Sequence, residues 1–129
     1  MTAVILRDHG VDRAEISITF IGSALMRRLN REYLDHDWVT DVLAFDLSAG
    51  EPAGMDMPLV GDVYVCVPRA LAQAARLNLE EEEELMRLTA HGVLHLLGYD
   101  HGKPAEAKMM SSLQEEYLNK FSPLPKVFV

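Results

Sequence analysis

The chain has 129 residues, enough for one core and too few for two, and its 49% apolar and 25% charged residues are the composition of a folded globular domain. A formal net charge of −8 argues against indiscriminate binding of nucleic acid by charge, and a single cysteine excludes an internal disulfide, as expected of a reducing, cytoplasmic setting. The opening MTAVILRDHG lacks a basic n-region and a long apolar run, and no stretch reaches the ~18–20 apolar residues of a bilayer span, so neither a signal peptide nor a membrane partner is expected.

In chain order, AVILR and EISITFIG read as short β-branched strands separated by the turn residues of DHGVD. Ser23 is placed to cap a helix from about Ala24 to Tyr33, with Leu25, Met26 and Leu29 as its apolar stripe. TDVLAFDL reads as a third strand, SAGEPAGMDMP as a loop set by Gly and Pro, and GDVYVCV as a fourth strand holding a buried Cys66. Pro68 suits the first turn of a helix through about Asn78. Residues 80–84 are five consecutive glutamates, read as a solvated helix N-terminus favoured by the helix dipole. They open a longer helix with core positions at Leu85, Leu88 and Val93 or Leu96, stopped by Gly98. Pro104 begins a last helix to about Lys120 carrying Met109, Leu113 and Tyr117 inward, and the tail SPLPKVFV is expected to dock its VFV end on the body. This order predicts an α+β fold over residues 1–129: a small mixed four-stranded sheet packed with about four to five helices, with a metal site at the end of the long one.

That site is read from HGVLHLLGYDH, residues 91–101. His91 and His95, four residues apart on a helix, project from one face about 6 Å apart along the axis. A helix would aim a residue six positions later poorly, but Gly98 can take positive φ and fold Tyr99–Asp100–His101 back toward the pair. Three neutral imidazoles suit zinc and leave a fourth position open, the catalytic rather than the structural arrangement; copper, nickel or iron would accept the same ligands. The alternative, histidines merely on a polar face, is set against three of the chain's five histidines falling in this one stretch. His9 and His36 stand alone and read as surface or loop residues. The spacing is that of the metzincin proteases, H-E-x-x-H-x-x-G-x-x-H, except that Gly92 replaces the glutamate. Without that carboxylate the motif has no general base for peptide hydrolysis, whereas phosphodiester cleavage can use a metal that polarises a phosphoryl oxygen.

HGVLHLLGYDH closely resembles the signature H-G-x-L-H-L-x-G-Y-D-H of the YbeY family, bacterial zinc-dependent endoribonucleases of ribosomal RNA maturation, and matches all its fixed positions. LNREYLDHDWVTDVLAF and GDVYVCVPRA are similar to two further blocks of that family, in the same order. The resemblance implies that His91, His95 and His101 hold one zinc ion per chain and that the fold is a small mixed sheet with helices packed on it. It also implies single-stranded RNA, small-subunit (16S) ribosomal RNA above all, as substrate, with the ribosomal subunit and its assembly factors as partners. The chain departs from the family in carrying Leu34 where an arginine commonly follows the tyrosine, in Ala44–Phe45–Asp46 where the family has S-F-P, and in a short stretch before its first helix. Arg31, three residues before Leu34 on the same helical face, is the candidate substrate-binding substitute; the alternative is an ordinary exposed arginine. Asp100 and Asp41 could orient an imidazole, or in the case of Asp41 accept a proton, though turn and capping roles suit both.

Three functions follow from these readings: a metal-dependent endoribonuclease active in ribosomal RNA maturation and quality control; a metal-stabilised ribosome-assembly factor with little cleavage of its own; and, behind both because of Gly92, a peptidase.

Overall fold

A computed structural model describes residues 1–48 and 58–121. Within them the order is α1 (Thr2–Asp8), β1 (Ala14–Ile21), α2 (Ser23–Leu34), β2 (Val42–Asp46), β3 (Leu59–Cys66), α3 (Val67–Leu77), α4 (Glu81–Leu96) and α5 (Pro104–Phe121). The Gly- and Pro-set loop, apart from its ends Ser48 and Pro58, and the tail expected to dock both lie outside the described residues.

The architecture is α+β, with a mixed sheet in the order β1-β3-β2. β1 runs parallel to β3 from Ala14↔Leu59 to Ile21↔Cys66, and β2 runs antiparallel to β3 from Val42↔Val65 to Asp46↔Gly61. The described sheet thus has three strands where four were expected, because AVILR forms α1. A four-residue apolar run carries no period that separates strand from helix. Here Ile5 and Leu6 turn into the core while Gly10, at φ +76°, closes the helix with Val11 N–H donating to the Leu6 carbonyl at 2.9 Å.

Alternation along β3 divides the core in two. Leu59, Val63 and Val65 pack with Leu88, Ala90, Val93, Leu94 and Leu96 of α4, with Ile5 and Leu6 of α1, and with Met110 and Tyr117 of α5. On the opposite face Ile21, Leu43 and Cys66 pack with Met26 of α2, flanked by Leu25, Leu29, Phe45 and Tyr64. The histidine-bearing helix therefore lies on the central strand.

Three local expectations are corrected. Ser23 is the first residue of α2 rather than its cap; Gly22 holds that position and no side chain caps it. On α5 Leu113 and Tyr117 face the core as expected, with Met110, Gln114 and Leu118, whereas Met109 is 54% exposed, a phase that two adjacent methionines leave open. Nor is the glutamate run wholly solvated: Glu84 is buried and accepts from Arg87 Nη1 at 2.9 Å, and Arg87 also forks onto Glu115 of α5 at 2.7 and 3.3 Å. A buried carboxylate is tolerated because that guanidinium reaches it.

Candidate metal centre

α4 ends in the way its sequence asks. Gly98 adopts φ +103°, its N–H donates to the His95 carbonyl at 3.0 Å, and Tyr99 N–H donates to the Leu94 carbonyl at 3.3 Å. The next turn is fixed by Asp100, whose Oδ1 accepts from Gly102 N–H at 2.8 Å, so Asp100 shapes the turn and is not seen bonded to an imidazole. Together these turns bring His101 back over the helix. Its ring centre lies 5.6 Å from that of His91 and 5.9 Å from that of His95.

The three rings share a cleft of about 190 Å³ with Gly92, Leu34 and Val42, Leu43 and Ala44 of β2. Two imidazoles bound to one zinc at ~2.0–2.1 Å and opening at a tetrahedral angle put their ring centres about 5 Å apart. The observed separations exceed that by less than the movement of a side-chain rotation. Among the described residues, no group of three or more His, Cys, Asp or Glu already stands as a metal-holding cluster, so the rings are gathered but not drawn in.

The donor chemistry of His91 suits a cation. Its Nδ1 lies 2.7 Å from Gln114 Oε1; the amide oxygen can only accept, so Nδ1 carries the proton and Nε2 is left with its lone pair. Burial pushes the His91 pKa below the ordinary histidine value, outweighing the opposing Gln114 hydrogen bond, so the ring is neutral near pH 7. His95 and His101 are exposed and complete the trio.

Behind His91 a cavity of about 230 Å³ contains Asp41, Gln73, Glu84, Arg87 and Gln114. Gln73 Nε2 donates to Asp41 Oδ2 at 3.2 Å, and the Asp41 carbonyl accepts from Cys66 N–H at 2.8 Å. Asp41 thus ties the start of β2 to α3 and the end of β3. Gln114 was not singled out from the sequence: it lies on α5, 23 residues from His91, and no local spacing connects them.

Gly92 has a packing reason to lack a side chain. A Cβ there would lie 2.5 Å from Val63 Cγ1 and 3.3 Å from Val42 Cγ2, so the slot a protease fills with glutamate is taken by the sheet. Arg31 is exposed and, unlike Arg27, which bonds Asp37 at 2.9 and 3.2 Å, makes no ion pair among the described residues. It sits one turn before Leu34, which reaches the cleft.

Neither isolated histidine joins the site. His9, read as a surface or loop residue, lies in the turn that follows α1 and is half-buried, with Nδ1 donating to the Ile5 carbonyl at 2.8 Å and Nε2 accepting from the Tyr99 hydroxyl at 2.9 Å. His36 is exposed and stacked on Trp38, ring centres 4.3 Å apart.

Comparison with known proteins places these features in company. Residues 2–122 match the model of the family described as Endoribonuclease YbeY. The Endoribonuclease YbeY of Staphylococcus aureus is 42% identical over 119 residues, covering 88% of this chain and 77% of that protein. That of Chlorobium luteolum is 37% identical over 116 residues, covering 90% of this chain and 80% of the other. The solution structure of TM1509 from Thermotoga maritima superposes with a TM-score of 0.65 at 27% identity, over 92% of this chain and 75% of that one.

Proposed function

Because the chain belongs to the endoribonuclease YbeY family, we propose that it is an endoribonuclease that hydrolyses phosphodiester bonds of single-stranded RNA, with 16S ribosomal RNA as its substrate in small-subunit maturation and quality control. On this reading Nε2 of His91 and the rings of His95 and His101 hold a zinc ion, or a similar divalent cation, in the cleft at the end of α4. The observation that carries it is the gathering of three imidazoles around one recess with Nδ1 of the most buried ring already engaged by Gln114.

A bound zinc ion would supply Lewis-acid charge to a phosphoryl oxygen. Everything else falls to the chain's own residues. Gln114 fixes the tautomer and ring plane of His91. Leu34, Val42 and Ala44 form an apolar wall that limits water around the reacting phosphate and raises the effective strength of charges there. Arg31, exposed on the helix that borders the cleft and without an ion pair among the described residues, is the residue we assign to the substrate's phosphates. The small ribosomal subunit and its assembly factors are the partners this substrate implies, and the lone buried Cys66 suits the reducing cytoplasm where they are found. Among the described residues no helix is long and apolar enough to cross a membrane.

The test is elemental analysis of the purified protein alongside cleavage of a defined single-stranded RNA. We expect one divalent cation per chain, cutting that a chelator abolishes, and loss of both in a folded His95→Ala variant. Metal-free protein that still cuts would sink the assignment. A second reading, a ribosome-assembly factor with little cleavage of its own, draws on Leu34: it places an apolar side chain at the cleft where an arginine would bring charge. Tight subunit binding with no cutting above background would select it.

A further inference from the structure

A second recess lies against the same two elements that border the histidine cleft. It has a volume of about 180 Å³ and is lined by Leu29 and Tyr33 of α2, Phe45 and Leu47 at and just beyond the end of β2, and Asp62 and Tyr64 of β3. That is below the ~300–1,000 Å³ of pockets for drug-sized ligands and suits a single flat ring system. Tyr33 and Phe45 meet edge to face with ring centres 5.4 Å apart, Phe45 and Tyr64 likewise at 6.0 Å, and Tyr33 is 65% exposed. A large aromatic left this open at the mouth of a pocket offers its face to whatever enters.

The pocket's charge has one sign. Asp62 is directly opposite Phe45 in the β2–β3 register, and its carboxylate is close enough to the Tyr64 hydroxyl that the two interact. Burial first, and then Asp62, raise the Tyr64 pKa, so the phenol keeps its proton and remains a donor. An ionised carboxylate has about four acceptor sites. One donor from Tyr64 leaves room for two parallel N–H groups.

Geometry links this pocket to the proposed catalytic cleft. Successive residues of α2, Tyr33 and Leu34, enter the aromatic pocket and the histidine cleft respectively; successive residues of β2, Phe45 and Ala44, do the same. β2 is an edge strand of the described sheet, so a chain can pass from one recess to the other around it.

We infer that the pocket between Tyr33, Phe45 and Tyr64 takes a guanine base of the RNA strand, stacked on Tyr33 and held through its N1–H and 2-amino group by the Asp62 carboxylate. Among the four bases only guanine presents two adjacent donors on its Watson–Crick edge. Adenine and uracil turn an acceptor toward the carboxylate at one of those positions, and cytosine offers its amino group alone. The pocket is thus a specificity-determining subsite, and the inference rests on the RNA reading above.

Binding of short uridine-rich single-stranded RNAs carrying one central guanine, inosine or adenine tests it, measured on the metal-loaded protein with phosphorothioate linkages that resist cutting. Guanine is expected to bind about tenfold tighter than inosine, which lacks the 2-amino donor, and tighter still than adenine. Asp62→Asn should erase that ranking, while Tyr33→Ala should weaken all three RNAs by about tenfold and preserve their order. If the Asp62 variant does not fold, the guanine–inosine comparison on the unaltered protein still decides. Equal affinity for guanine and inosine, or an Asp62→Asn variant that keeps the ranking, overturns the subsite and leaves the nuclease reading standing. A protein that binds none of these RNAs overturns both.

Discussion

Two residues show how strongly the cleft depends on what surrounds the histidines. At Gly92 an added methyl would lie 2.5 Å from Cγ1 of Val63, which is wholly buried. Replacing glycine by alanine inside a helix ordinarily gains up to ~1 kcal/mol. Here the β-branched Val63 is restricted in χ1 and packed on all sides, and overpacking of this kind costs ~1–3 kcal/mol. The clash should win. Gly92→Ala is expected to lower stability by about 1–2 kcal/mol, read from urea midpoints at unchanged slope. In a Val63→Ala background, itself weakened by the cavity it opens, Gly92→Ala should cost less than in the unaltered chain, a favourable double-mutant coupling. Gln114 is the other residue. Replacing it by leucine frees His91 Nδ1 and the ring's tautomer, for which loss of such an outer partner typically costs 10–100-fold in metal affinity. Competition with a chromophoric chelator measures it, and Gln114→Glu, which keeps an acceptor in place, should bind zinc at least as well as the unaltered chain. A Gln114→Leu variant of full affinity would mean that the amide only fills space.

At the scale of elements, sequence and structure agree where local signals agree with one another. Pro68 lies in the first turn of α3, the glutamates open α4, and Gly98 ends it with the positive φ expected of it. The spacing of His91, His95 and His101 was legible because a helix period and a glycine turn are both local rules. What could not be read depends on partners far along the chain. AVILR becomes a helix because Ile5 and Leu6 join the α4 and α5 core, and Glu84 is buried because Arg87, itself held by Glu115 of α5, bonds it there. The same tertiary dependence joins the first and last described helices: Tyr117 of α5 donates to Asp8 Oδ2 of α1 at 2.8 Å. Burial, then the Asp8 hydrogen bond and charge, push the Tyr117 pKa up to about 12. A phenol whose folded pKa is raised contributes stability that is fully present below its unfolded pKa of ~10 and is lost as pH rises through the folded value. Tyr117→Phe should therefore be less stable by about 1–2 kcal/mol at neutral pH. The gap to the unaltered protein should close between about pH 10 and about pH 12. Thermal melts of both proteins across that window check it; a constant gap would mean that folding does not raise the Tyr117 pKa.

For the molecule as a whole, a net charge of −8 sets how RNA can be held. Release of counterions gives single strands a log–log salt slope of about −0.7 per phosphate neutralised, so proteins that clasp six to ten phosphates are steeply salt-sensitive. This chain has few cations to spare near the cleft. Arg27 is committed to Asp37, and Arg28 lies 3.8 Å from Glu32. Arg31 makes no ion pair among the described residues, and of its neighbours on α2 Arg28 could join it by leaving its glutamate. Two contacts correspond to a slope of only about −1.4. Most of the affinity must then come from short-range contacts, stacking on exposed aromatics and bonds at the cleft, which salt does not screen. Arg31→Ala should accordingly make the slope shallower by about 0.7 and weaken every sequence alike, without altering which base is preferred. Titrations of a single-stranded RNA at several salt concentrations give both quantities. An unchanged slope would return Arg31 to the ordinary surface, and a slope several times steeper would mean that a basic face elsewhere on this acidic molecule carries the strand.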